Sequence, residues 1–275
     1  MKLTLLTFLI FITQISLSQK KMTDLEKMNL KGNIISIKTI ADTIPRELKE
    51  GSDPKTLYKI IFYTFNENGD ITEQKGIESY NATYKTKKYY NTLNQICKVE
   101  NCTKDDILEF AENYEYDSFG EIISKIIDSH KATLYRNELE IKGNIKKYTK
   151  FEFKWEGIDE KTDERIENEN GKIIEDNYYE NNKVFIKNLY SYNKKGLLST
   201  KTYYQYYKEK IYTTIEKYLY NENDDVIEFT RFNGKNEIID KENNTYIYDI
   251  KGNWITKHSQ TSLMTIIERN IDYKK

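Results

Sequence analysis

The sequence predicts an all-β protein, built from repeated antiparallel β-hairpins that form one elongated, curling sheet of about sixteen strands. Three observations predict it. A pattern, aromatic-x-aromatic-[Asn/Asp]-x-x-[Gly/Asn/Asp]-x-apolar, recurs along the chain. Its clear copies begin at Tyr63, Tyr114, Tyr190, Tyr218 and Tyr246. The composition is rich in tyrosine (24 residues) and has only 2 prolines among 275 residues, as expected where backbone N–H groups serve sheet ladders. No long stretch carries a helical period, apart from a short turn from Thr23 to Met28.

The second aromatic of each copy measures the repeat. It falls at Phe65, Tyr90, Tyr116, Tyr192, Tyr220 and Tyr248, in steps of 25 to 28 residues where copies adjoin. Two worn copies fill the gap between Tyr116 and Tyr192: Asn168-Glu169-Asn170-Gly171 keeps the turn, and Lys142-Gly143-Asn144-Ile145 keeps little more than the glycine. Lys31-Gly32-Asn33-Ile34 has the same look. Self-similarity at such a period means a repeat architecture in which each unit packs on its neighbours.

Each unit reads as a hairpin. Asn or Asp opens a type I turn, and three residues later Gly, Asn or Asp occupies a left-handed position that makes a bulge. This assigns structural turns to Gly69, Gly120, Gly171, Gly196 and Gly252, with Asn94 and Asp224 as the tolerated alternatives. The alternating aromatics before each turn share one strand face. After the turn come apolar residues and often a lysine, as at Lys125, Lys201 and Lys257.

Residues 1–18 read as a signal peptide, with Lys2, an apolar run from Leu3 to Ile15, and Ser16-Leu17-Ser18 before the cut. The mature chain is then 19–275, with an irregular loop at 43–55 that holds both prolines. An uncleaved N-terminal anchor is the alternative. No second apolar stretch of spanning length follows, so no membrane span is expected after signal removal. Net charge is −1 with interspersed signs, which argues against a nucleic-acid partner. Cys97 and Cys102 are a candidate disulfide, provided the chain turns between them; two packed thiols are the alternative.

The residues carry no catalytic motif. The 2 histidines, His130 and His258, belong to different units, and no nucleophile elbow, phosphate loop or metal-ligand spacing occurs. No catalytic residue, cofactor or metal is expected. The candidate binding residues are aromatic: Tyr203, Tyr204, Tyr206 and Tyr207 put rings on both faces of one strand, and Trp254 follows the last turn. Tyr114, Tyr190, Tyr218 and Tyr246 are expected to form a ladder of rings.

The Tyr-[Asp/Asn]-x-x-Gly core resembles the YD repeat of the RHS-like proteins, best at Tyr116-Asp117-Ser118-Phe119-Gly120 and at Tyr248-Asp249-Ile250-Lys251-Gly252. The stretch through Arg269-Asn270-Ile271-Asp272-Tyr273 looks like the ending of small exported members of unknown function. The resemblance implies an exported or surface protein that binds carbohydrate. Large members wind a sheet into a shell around a toxin, whereas this chain has few units and no toxin-like domain after the repeats. A weaker similarity is to MORN-like antitoxin repeats. The expected function is an exported, non-enzymatic binding or scaffold module at the cell surface, in the periplasm or secreted, with an unknown carbohydrate or protein ligand. An immunity-type partner-binding protein and a carbohydrate-active enzyme are the alternatives.

Overall fold

The computed structural model describes residues 22–45, 57–78, 83–127, 131–153, 159–261 and 263–274. One helical turn, α1 (Asp24–Lys27), precedes the strands. The first six strands are β1 (Ile34–Pro45), β2 (Leu57–Phe65), β3 (Ile71–Glu78), β4 (Thr83–Tyr90), β5 (Ile96–Cys102) and β6 (Leu108–Tyr116). Next come β7 (Ile122–Ile127), β8 (Lys131–Lys142), β9 (Ile145–Phe153), β10 (Asp159–Glu167), β11 (Ile173–Glu180) and β12 (Lys183–Tyr192). The last are β13 (Leu198–Tyr207), β14 (Lys210–Tyr220), β15 (Val226–Asn233), β16 (Ile238–Tyr248), β17 (Trp254–Gln260) and β18 (Leu263–Tyr273).

Every strand pairs antiparallel with its sequence neighbours, and the sheet closes. β1 pairs with β2 on one side and with β18 on the other, from Ile34↔Tyr273 to Pro45↔Leu263. The result is an 18-stranded up-and-down barrel. This corrects the expected open sheet of about sixteen strands. The physical reason is that hairpin signals are local, while closure is a pairing between the two ends of the chain. It removes both sheet edges. The expected loop at 43–55 begins too early, because Thr43, Ile44 and Pro45 belong to β1; residues 46–55 lie outside the described residues, as does the signal peptide.

The turns alternate between two mouths. The mouth that also holds the start of β1 and the end of β18 collects the repeat turns. In each except the worn turn at Gly143, the Asx side chain accepts backbone N–H groups: Asn66 takes those of Asn68 and Asp70, Asn193 those of Lys195 and Leu197, Asp249 those of Lys251 and Asn253. The Asx backbone N–H closes the loop onto the residue four further on, as in Asn66→Asp70 at 2.9 Å. Register slips by one residue at the second aromatic of all five clear copies, Phe65, Tyr116, Tyr192, Tyr220 and Tyr248, and at Tyr90. That is the bulge the turn chemistry anticipates.

The second aromatic also joins one hairpin to the one before. The phenol of Tyr90 donates to the Ile71 carbonyl (2.7 Å), Tyr116 to Ile96 (2.6 Å), Tyr192 to Ile173 (2.6 Å) and Tyr220 to Leu198 (2.7 Å). Where β8 has no such tyrosine, the Asn137 amide reaches the Ile122 carbonyl instead. Each accepting carbonyl belongs to the first residue of a strand that follows a repeat turn. Tyr192→Phe is therefore expected to destabilise by about 1 kcal/mol, because it strands an acceptor while leaving the ring in place. Urea unfolding of the two proteins measures it.

Aliphatic core is scarce, as the composition anticipates. Leu30, Ile34, Ile37, Phe65 and Ile71 form the buried cluster, with Leu25, Met28, Tyr63, Ile271 and Tyr273 packed around it. This cluster lies at the repeat-turn mouth, under residues 23–33, which cross it as a strap. Thr23 caps α1 and forms a reciprocal capping box with Glu26.

Candidate functional site

Register sorts the side chains onto two faces, and one collects both aromatics of the clear copies: Tyr63 and Phe65, Tyr114 and Tyr116, Tyr190 and Tyr192, Tyr218 and Tyr220, Tyr246 and Tyr248. This face is concave. The strap packs on it through Ile37, Tyr63 and Ile271. Arg269 of β18 interacts electrostatically with Tyr63 of β2 and Tyr246 of β16, each two strands away, which requires curvature toward that side. It is the inner wall. Barrels of about 16 to 18 strands are generally wide enough to leave an aqueous interior.

The inner wall alternates rings with charge. In three copies the lysine that follows the turn lies directly across from the first aromatic: Lys125 opposite Tyr114, Lys201 opposite Tyr190, Lys257 opposite Tyr246. The ammonium groups of Lys125 and Lys201 lie 5.9 and 5.8 Å from the Tyr114 and Tyr190 ring centroids. Arg165 covers Tyr148 at 4.4 Å, and Lys150 covers Tyr135 at 4.3 Å. Carboxylates complete the pattern: Tyr218 donates to Glu216 (2.8 Å), Tyr190 to Asp176 (2.7 Å), and Tyr114 to Glu112. Burial, reinforced by these acids, raises the pKa of all three phenols well above the ordinary value, so they stay protonated donors. The expected ladder of Tyr114, Tyr190, Tyr218 and Tyr246 is interrupted. Ring contacts among the described residues run from Tyr218 to Phe229 and from Tyr246 to Tyr248 and Trp254 instead.

The structure divides the candidate binding residues. Tyr203 pairs with Asn188 and Thr214 on the inner wall, and Tyr207 faces the same way opposite Lys210. Tyr204 and Tyr206 point outward. Tyr206 and Tyr207 are exposed, Tyr203 and Tyr204 half-buried. Trp254 is on the inner wall too, but at the repeat-turn mouth, whereas Tyr203 to Tyr207 approach the opposite one. Gly69, Gly120, Gly171, Gly196 and Gly252 have φ between +66° and +88°, with Asn94 at +59° and Asp224 at +67°. Sequence reading missed two turns of the same kind at the opposite mouth, Thr103–Ile107 and Asn233–Glu237, because no aromatic pair precedes them.

Cys97 and Cys102 are free thiols, which corrects the candidate disulfide. β5 runs continuously through both, and five extended residues hold their Cα atoms about 16 Å apart, far beyond bridging distance. Cys97 follows the first residue of β5 and donates to the Tyr89 carbonyl (3.5 Å). Thr72 does the same to Thr64 (3.2 Å), as does Ser199 to Ser191 (3.0 Å). The thiol thus occupies a position where other units place a hydroxyl.

At the strapped mouth, Asn253 is fully buried. Its side chain accepts from the Lys31 N–H (2.7 Å) and donates to the Lys31 carbonyl (2.8 Å) and the Tyr273 hydroxyl (2.7 Å). Tyr273 donates onward to Asp249. On the other side of the strap, Asp24 accepts from the Ile71 N–H (3.0 Å), and Asn29 donates to Asp225 (3.1 Å). Among the described residues no group of three or more His, Cys, Asp or Glu side chains is placed to hold a metal ion.

No family model matches the chain, and no curated protein matches it. Among solved structures, a porin-like protein from Bacteroides uniformis aligns at 9% identity and TM-score 0.41, over 87% of this chain and 96% of that one. The TcdB2–TccC3 structure aligns at 10% identity and TM-score 0.30, over 82% of this chain and 16% of that one. The Tc holotoxin pore of Photorhabdus luminescens aligns at 11% identity and TM-score 0.23, over 77% and 16%. Among the described residues no helix is long and apolar enough to cross a membrane, which says nothing of a β-barrel.

Proposed function

We propose that this chain is an exported, non-enzymatic binding module, related to the YD-repeat proteins, whose ligand is a carbohydrate held along the inner wall of the barrel. The observation that carries the reading is that wall, where flat rings alternate with ionised and hydrogen-bonding groups on the inside of a barrel of a strand number that leaves room for water. Rings supply stacking area and fixed polar groups supply orientation, the combination that sugar recognition requires. The carboxylates support a binding role over a catalytic one. Those of Glu112 and Glu242 on the inner wall are held below the ordinary value despite burial, each by a lysine partner. A glycosidase acid needs the opposite shift.

The barrel belongs in water on this reading. Mid-strand charges occupy both faces: Lys85, Lys87, Lys161 and Glu164 on one, Arg165, Asp176, Lys201 and Glu216 on the other. A lipid-facing barrel needs an outward apolar band about 25 Å tall, and neither face supplies one.

A glycan array with the purified protein tests the function. Where a glycan binds, Tyr207→Ala is expected to weaken it about tenfold, the worth of one lost stacking contact, while the outward Tyr206→Ala leaves it unchanged. Equal losses in both variants, or no glycan bound at all, would refute the inner-wall reading.

A further inference from the structure

The structure assigns an anion-binding role to Arg269, on the inner wall beneath the strap, with an acidic saccharide as the ligand class. The assignment deepens the carbohydrate reading and rests on it. The other described arginines each meet two carboxylates: Arg136 meets Glu138 and Asp159, Arg165 meets Glu121 and Glu167, Arg231 meets Glu216 and Asp240. Arg269 forms no ion pair among the described residues, and its Nε and Nη1 are shielded from solvent without an acceptor. Buried, unmatched donors are costly, and more so on a charged group.

The surroundings position the guanidinium without satisfying it. Its central carbon lies 3.3 Å from the Trp254 ring centroid. Asp225 attracts it, but the two oxygens of that carboxylate already accept from Asn29 and Tyr248. Burial lowers the Arg269 pKa to about 10, against the pull of Asp225, Tyr63 and Tyr246, so the group remains a cation at neutral pH. Tyr63 and Tyr246 lie within electrostatic reach of it on the same wall. Once these shielded donors are uncovered, a carboxylate or sulfate would meet them, with the sugar ring held nearby on the inner wall. The strap touches two of the groups around Arg269, since Asn29 holds Asp225 and the strap's apolar residues share a cluster with Tyr63. It is therefore the cap of the site, and ligand entry requires it to lift.

Trp254 reports on the site directly. The chain has 2 tryptophans, so in the full-length Trp155→Phe protein Trp254 is the only tryptophan, and selective tryptophan excitation reports on it alone. Sodium glucuronate, glucose 6-sulfate and glucose are titrated at fixed ionic strength. At least one of the two acidic sugars is expected to change the emission saturably, and which one responds distinguishes carboxylate from sulfate; glucose is expected to have no effect. Arg269→Met should abolish the response and hold or raise the melting temperature, because an apolar chain replaces an unpaired buried charge. Leu30→Ala should move half-saturation to lower concentration, because it loosens the strap while leaving the Asn29–Asp225 bond in place. The assignment is overturned by silence from both acidic sugars, by a response that survives Arg269→Met, or by loss of folding or a lower melting temperature in that variant. Unchanged half-saturation in Leu30→Ala overturns the capping. A response to glucose as strong as to glucuronate removes the anion site while leaving the general carbohydrate reading standing.

Discussion

Deleting residues 263–275 is expected to abolish the folded barrel rather than shorten it. β18 is the strand through which the sheet closes, paired with β17 on one side and β1 on the other. Its loss bares two long edges, each a row of unpaired N–H and C=O groups open to association. It also removes Ile271 and Tyr273 from the buried cluster, and the Lys274 N–H that bonds the Asn33 carbonyl at 2.8 Å. The truncated chain should lose its cooperative thermal transition and sediment as aggregates. A monomer that melts cooperatively within a few degrees of the full chain would mean that closure contributes little.

Asn253→Ala carries the largest effect expected of a single side chain, a loss of about 2–4 kcal/mol. This amide binds both the N–H and the carbonyl of Lys31 and the hydroxyl of Tyr273, so it fastens the strap, the last repeat turn and the final strand together. Alanine leaves those partners stranded in a site with no solvent access. By contrast, Asn193→Ala removes only the side-chain bonds within an exposed turn and should cost about 1 kcal/mol, as a lost helix cap does. Equal costs in chemical denaturation would show that the strap is not held through Asn253.

The repeat unit was legible because its physics is local. An Asx that accepts two backbone N–H groups, a residue that tolerates positive φ and a pair of alternating aromatics all lie within seven residues, so spacing alone reveals the turn, the bulge and the shared face. The lysine that often follows the turn was visible as well; its place across from the first aromatic in three copies follows once the bulge is counted. Closure was not legible, because the pairing of Ile37 with Ile271 leaves no signature in either segment. The site was legible only in kind. Aromatic surface was the right currency, but the run from Tyr203 to Tyr207 alternates between the inner and outer walls, so it cannot form one patch. Arg269 escaped notice because it is distinguished by the ion pair it lacks. Cys97 suggested a disulfide, since composition alone cannot separate a bridging thiol from one that replaces Thr72 or Ser199 at the equivalent bulge.

Cross-linking across the seam tests the closed barrel most directly. Lys38 of β1 lies opposite Asn270 of β18, and opposite Phe62 of β2 on its other side. In a Cys97→Ser, Cys102→Ala background, the pairs Lys38→Cys with Asn270→Cys and Lys38→Cys with Phe62→Cys are oxidised under native conditions and quantified by mass spectrometry. Directly opposed residues in an antiparallel pair bring their Cβ atoms to about 4.5–5.5 Å, close enough for a disulfide after small adjustment. A closed barrel predicts intramolecular bonds in both pairs, each lost when oxidation is carried out in denaturant. A bond in the β1–β2 pair with none in the β1–β18 pair would mean an open sheet, with no channel for the inner wall to line.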